Sequence, residues 1–167
     1  LFPYTTLFRS KTLAGKSVTT ADEWTQIRRP EVLALFEQHV FGKTPTAATW
    51  GKVDFKVTEV KKDALGGKAT RKLIHISLPE HPAWAGMDVM LYTPNGLGKP
   101  APCFVGPSFN GNHAVSPETD IPLSTRWMRA SKDKSIINNR ATDASRGSES
   151  SRWPLEMILD QGCAVAS

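Results

Sequence analysis

The last third of the chain, residues 102–166, constrains the fold most, because it reads as a strand, a long polar excursion, a helix and a second strand. Cys103-Phe104-Val105 is short and apolar, bounded by Pro102 and Gly106. That pattern suits the middle of a sheet covered on both faces. The helix is expected over 152–161, with Ser151 as N-cap and Pro154 in the first turn, where a missing N–H costs little. Trp153, Leu155, Met157, Ile158 and Leu159 give it an apolar stripe at helical spacing. Gly162 stands where a left-handed C-cap residue is wanted, and Cys163-Ala164-Val165-Ala166 begins the second strand. A strand, helix and strand in this order form a right-handed crossover between parallel strands. The loop 106–113 then leaves the carboxyl end of the first strand, where α/β sheets place ligands.

A chain of 167 residues is long enough to bury a core, covering roughly two-thirds of its unfolded surface. No apolar run approaches the ~20 residues of a membrane span. The chain is read as a fragment, because its last residue, Ser167, falls only a few positions into an apolar strand. Residues 1–10, Leu-Phe-Pro-Tyr-Thr-Thr-Leu-Phe-Arg-Ser, look like the translation of a short-read sequencing adapter. Such a segment is set aside from fold reasoning, which leaves 11–167 as part of a single domain. It is expected to be unpacked, since it has no evolved partner surface.

The net charge is +5, but Lys52, Lys56, Lys61, Lys62, Lys68 and Lys72 are scattered, mostly at alternate positions of strands. Solvated strand faces account for them. No basic helix or interleaving of aromatic and basic residues marks a nucleic-acid surface. Cys103 and Cys163 lie in apolar strands and are expected to be buried free thiols; a disulfide between adjacent strands is the alternative, which strained geometry disfavours.

In chain order, Thr20-Ala21-Asp22-Glu23 has the form of a capping box and opens a helix carrying Trp24 and Ile27. Pro30 is expected to interrupt it and start a second helix, with Leu33, Phe36 and Val40 on one side and Gly42 at its end. His39 reads as a surface or packed histidine. From Lys52 the period changes to alternation. Val53, Phe55 and Val57 share one face of a first strand; Ile74, Ile76 and Leu78 share one face of a second; Val89 and Leu91 alternate in a third. An antiparallel lead-in followed by a parallel β-α-β unit is the start of an α/β-hydrolase fold, among other mixed folds.

Few residues here carry chemistry. No G-x-S-x-G nucleophile elbow occurs. Ser131-Lys132-Asp133-Lys134 matches S-x-x-K in a chain rich in both residues and reads as coincidence. Gly96-Leu97-Gly98-Lys99 lacks phosphate-loop spacing, and His75, His81 and His113 lack zinc-ligand spacing. Phe109-Asn110-Gly111-Asn112-His113 stands out. Gly111 permits close backbone approach, and its neighbours offer several hydrogen-bond donors at a strand's carboxyl end. A tight polar turn that satisfies its own backbone is the competing reading.

Three blocks carry a family resemblance. Arg28-Arg29-Pro30-Glu31-Val32-Leu33 with Leu35-Phe36-Glu37-Gln38-His39-Val40-Phe41-Gly42 resembles the N-terminal helix of bacterial glucuronoyl esterases, carbohydrate esterase family fifteen. Residues 104–113 are similar to their strand–loop segment, and residues 141–159 to a third block of theirs, in the family's order. The resemblance implies the N-terminal part of an α/β-hydrolase fold, cut before the nucleophile elbow. It also implies a secreted or periplasmic serine carboxylic-ester hydrolase that uses no metal or cofactor and is monomeric at full length. The implied substrate is the glucuronoxylan–lignin ester that joins 4-O-methyl-glucuronate to a lignin alcohol. An acetyl xylan esterase and a non-catalytic carbohydrate-binding member of the fold are the rivals.

The family's nucleophile, acid and histidine have no counterparts in these residues, so they are expected beyond Ser167 and the chain alone is expected to be inactive. Phe109, Asn110, Asn112 and His113 are the substrate-cleft candidates. Arg146, Arg152 and Trp153 are assigned to structure, tying down the excursion. On that assignment, Asn110→Ala and His113→Ala would lower kcat/KM of the full enzyme with little change in Tm.

Overall fold

The structure is a computed structural model that describes residues 11–167; the expectation made for residues 1–10 lies outside the described residues. By its internal contacts the chain divides into two compact units, Leu1–Trp50 and Gly51–Ser167.

In the first unit one helix runs through 21–41 without a break, in four consecutive stretches, Ala21–Glu23, Trp24–Arg28, Arg29–Phe36 and Glu37–Phe41. The capping box forms: Glu23 N–H donates to the Thr20 hydroxyl at 3.1 Å, and Thr20 N–H donates to the Glu23 carboxylate at 3.3 Å. Pro30 does not end the helix. The turn before it is widened, with Arg29 N–H reaching back to the Trp24 carbonyl, so the register shifts where the proline has no hydrogen to give. Gly42, at φ 74°, terminates the helix as expected.

The second unit is built on a five-stranded sheet, ordered β1-β2-β3-β7-β4. β1 (Asp54–Ala64), β2 (Ala69–Ser77) and β3 (Met87–Pro94) form the antiparallel meander. β4 (Cys103–Val105) pairs in parallel with β7 (Ala164–Ala166), which inserts between β3 and β4. Within the excursion, β5 (Ile136–Ile137) and β6 (Arg140–Ala141) make a small hairpin. Its two-residue turn, Asn138-Asn139, has φ of 49° and 60°, values that asparagine tolerates better than most residues.

Four details differ from expectation. β4 is the edge of the sheet, with no strand beyond it among the described residues, and it leaves Phe104 60% and Val105 80% exposed. The crossover helix is shorter, Leu155–Asp160, with Pro154 rather than Ser151 at the N-cap position. Residues 148–153 are spent on turns that fold back on the excursion, so Trp153 precedes the helix and Met157 is exposed. Cys163 precedes β7 and is half-buried, while Cys103 is exposed; both are free thiols.

Cross-strand register decides which sheet face is buried. Phe55 pairs with Ile76, Val57 with Ile74, and these in turn with Met87 and Val89, on the face left open. The opposite face carries Ala69, Met90 and Tyr92, which pack with Val115, Ile121, Leu155, Leu159 and Val165 in the core. Arg71 shares that face and is wholly buried. A register shift between Val57 and Glu59 turns Glu59 and Lys61 toward it. Lys61 is therefore not on a solvated face but bonds Asp120 at 2.7 Å.

Candidate active-site wall at the carboxyl edge of the sheet

An open pocket of about 710 Å³ lies at the carboxyl ends of β4 and β7. Its walls are Val105–Ser108 with Gly111 and Asn112, the start of β3 from Gly86 to Val89, and residues 121–126 of the excursion. This is the edge where open α/β sheets bind ligands.

The four cleft candidates are placed differently around it. Phe109 stands on the loop, 98% exposed. Asn110 turns inward: its amide donates to Glu149 Oε1 at 2.9 Å. Glu149 is buried and also accepts from Ser108 Oγ at 3.4 Å, so this carboxylate holds the loop. Asn112 lines the pocket. Its amide donates to the Asp88 carbonyl at 3.2 Å, and its Oδ1 accepts from Ser167 Oγ at 3.3 Å. His113 is fully buried behind the loop. Its Nδ1 accepts the Ser124 N–H at 3.3 Å, which assigns the ring hydrogen to Nε2, where it has no partner among the described residues. Burial and then the nearby Arg146 guanidinium hold the imidazole below its ordinary pKa, so it is neutral. Gly111 is required here: φ is 87°, and a Cβ would stand 3.2 Å from Ser124 Cβ.

The residues assigned to structure also separate. Arg146 Nη1 donates to the Ile121 carbonyl at 2.6 Å and the Glu118 carbonyl at 3.3 Å, and Nε donates to Asp143 at 2.7 Å. Trp153 lies against Gly106, where a Cβ would come within 3.1 Å of its ring. Arg152 is largely exposed, and among the described residues its guanidinium makes a 3.6 Å ion pair with Glu149, a contact worth little in water.

One cluster has no sequence signature. Glu118 Oε2 accepts from Tyr92 Oη at 2.6 Å and Arg71 Nη1 at 2.9 Å; Oε1 faces Lys61 Nζ and the Leu65 N–H, both at 3.4 Å. Arg71 also binds Asp120 at 2.9 Å and Glu59 at 2.6 Å. Burial pushes the Glu118 carboxyl up, but the Tyr92 hydroxyl, Arg71, the Leu65 N–H and Lys61 outweigh it and hold it below its ordinary pKa. The strand alternation that places Arg71 and Tyr92 on one face was readable; the partners, 26 to 49 residues away, were not. Among the described residues no serine hydroxyl bonds to His75 or His113, and no cluster of His, Cys, Asp and Glu suits a metal ion.

No protein-family model matches the chain. A carbohydrate esterase from an unknown prokaryotic organism is 36% identical over 154 residues, 92% of this chain and 35% of that protein. A solved glucuronoyl esterase from Solibacter usitatus is 41% identical with a TM-score of 0.79, over 94% of this chain and 38% of the other. A promiscuous CE15 esterase from a marine bacterial metagenome is 35% identical with a TM-score of 0.77, over 95% of this chain and 38% of the other. The chain thus spans little more than a third of the length of these relatives. A mixed α/β sheet of this order, carrying this much identity in sequence, makes the chain similar to CE15 esterases over nearly all of its own length.

Proposed function

We propose that the chain supplies one wall of the substrate cleft of a serine carboxylic-ester hydrolase of α/β-hydrolase fold. Its substrate is the glucuronoyl ester joining 4-O-methyl-glucuronate on xylan to a lignin alcohol. The observation that carries this reading is the match to the Solibacter usitatus glucuronoyl esterase over 94% of the chain. The pocket at the carboxyl edge of β4 and β7 supports it, since an elbow from a further parallel strand would open at the same edge. Phe109 offers the sugar an apolar face, and Asn112 lines the cleft. Asn110 and His113 hold the loop from behind. The acyl-enzyme chemistry then belongs to a serine, a histidine and an acid outside these residues, and the chain alone is inactive. The full-length protein is a secreted or periplasmic monomer.

The test assays the chain and a version extended to its relatives' length, on a benzyl glucuronate ester and an acetylated xylan. Hydrolysis of the glucuronate ester by the extended protein alone is the expected result. Turnover of acetylated xylan only, or of neither substrate, would overturn the assignment in favour of an acetyl esterase or a binding module.

A further inference from the structure

We propose that Glu118 is a positioning residue, through which strands β1 to β3 fix the pocket wall at 121–126. The proposal rests on the reading of this pocket as a substrate cleft. Its experiment reads the wall directly, so either idea can fail without the other.

The excursion from 107 to 150 is mostly irregular and would be mobile unless tied down, since loops with few buried contacts open at little cost. Glu118 is where the sheet takes hold of it. Its carboxylate gathers donors from Lys61 on β1, Leu65 in the following turn, Arg71 on β2 and Tyr92 on β3. The same residue's carbonyl accepts from Arg146 Nη1 and, at 3.4 Å, from the Ile121 N–H. Arg146 also holds the Ile121 carbonyl, and the Ile121 side chain is buried in the core. From there the wall begins: Pro122, Leu123, Ser124, Thr125 and Arg126 line the pocket. Its far side is fixed by the Ser124 N–H on His113 Nδ1 and by the Arg140 guanidinium donating to the Thr125 carbonyl. The wall thus hangs between Glu118 and His113. Asp120 shares Arg71 and Lys61 with Glu118 but is more exposed, and the bonds from Tyr92 and the Leu65 N–H go to Glu118, which makes Asp120 the control.

The experiment is amide hydrogen exchange on the chain and on Glu118→Gln and Asp120→Asn, resolved by residue. In Glu118→Gln, exchange at Ile121 and Ser124 is expected to quicken about tenfold, with Met90 and Ala164 in the sheet unchanged. Asp120→Asn is expected to leave Ser124 at the parental rate. Parental protection of Ser124 in Glu118→Gln, or equal acceleration at Ser124 and Met90, would show that Glu118 merely stabilises the whole fold and would overturn the proposal. Should Glu118→Gln not fold, Tyr92→Phe removes only one donor to the carboxylate. It should quicken Ser124 about threefold, and an unchanged rate would overturn the proposal equally.

Discussion

The Tyr92 hydroxyl donates to Glu118 Oε2 at 2.6 Å, in a core that also encloses the Arg71 guanidinium. This contact joins the middle of the sheet to the start of the pocket wall. A buried cation with three acidic partners is held by geometry, because each member offsets the desolvation of the others. Arg71→Ala would leave Glu118 and Asp120 sharing Lys61 as their cation among the described residues, with the buried guanidinium gone. A loss of about 3 kcal/mol, or failure to fold, is expected, read from urea denaturation. A loss below 1 kcal/mol would mean that water replaces the guanidinium, at a surface ion pair's worth of about 0–1 kcal/mol.

Acidification should loosen the chain in a defined window. The His113 pKa is lowered in the folded state from 6.5, by burial and then by Arg146. Above 6.5 the ring is neutral in both folded and unfolded chains and adds no pH dependence. As pH falls through 6.5 toward the folded value, only the unfolded chain takes the proton, and stability is lost. Glu118 and Asp120, also lowered in the fold, act in the same direction but at lower pH. Tm should therefore drop as the pH falls below about 6.5, and the drop should shrink in His113→Gln. An equal drop in both proteins would assign it to other groups.

Asn110→Ala should not be silent in stability. Among the described residues its amide is the closest side-chain donor to the buried Glu149 carboxylate, with Ser108 and Arg152 at 3.4 and 3.6 Å. Removing it is expected to cost about 1–2 kcal/mol, seen as a lowered Tm. The sequence alone suggested an unchanged Tm, on the view that this amide faces the cleft. An unchanged Tm would restore that view.

The open sheet face should make the isolated chain associate. Phe55, Val57, Val60 and Met87 are exposed on strands whose other face is packed. Contiguous apolar surface of this kind drives association. Sedimentation at micromolar concentration is expected to show aggregates, reduced in a Phe55→Lys, Met87→Lys double variant. A sedimentation profile of monomer alone would contradict this.

Local signals in the sequence specified each element that depends on neighbours within a few residues. The Thr20–Glu23 capping box, the three alternating strands, the parallel strand pair around the crossover and the stop at Gly42 all formed where their residue patterns placed them. The family was legible for the same reason, as motifs such as 104–113 are contiguous. Pro30 misled because a widened turn absorbs a missing hydrogen bond, and nothing in the local pattern announces that. Tertiary structure decided which sheet face is buried, since the apolar face of Phe55, Ile74 and Val89 is open while Arg71 and Tyr92 are enclosed. Alternation defines two faces but cannot say which one meets the excursion. It also decided what the loop's polar side chains do. The Asn110 amide meets Glu149 thirty-nine residues later, and the His113 ring meets the Ser124 N–H. A buried polar group is satisfied by whatever the fold brings within 3 Å or so, and that partner is set by topology rather than by position along the chain.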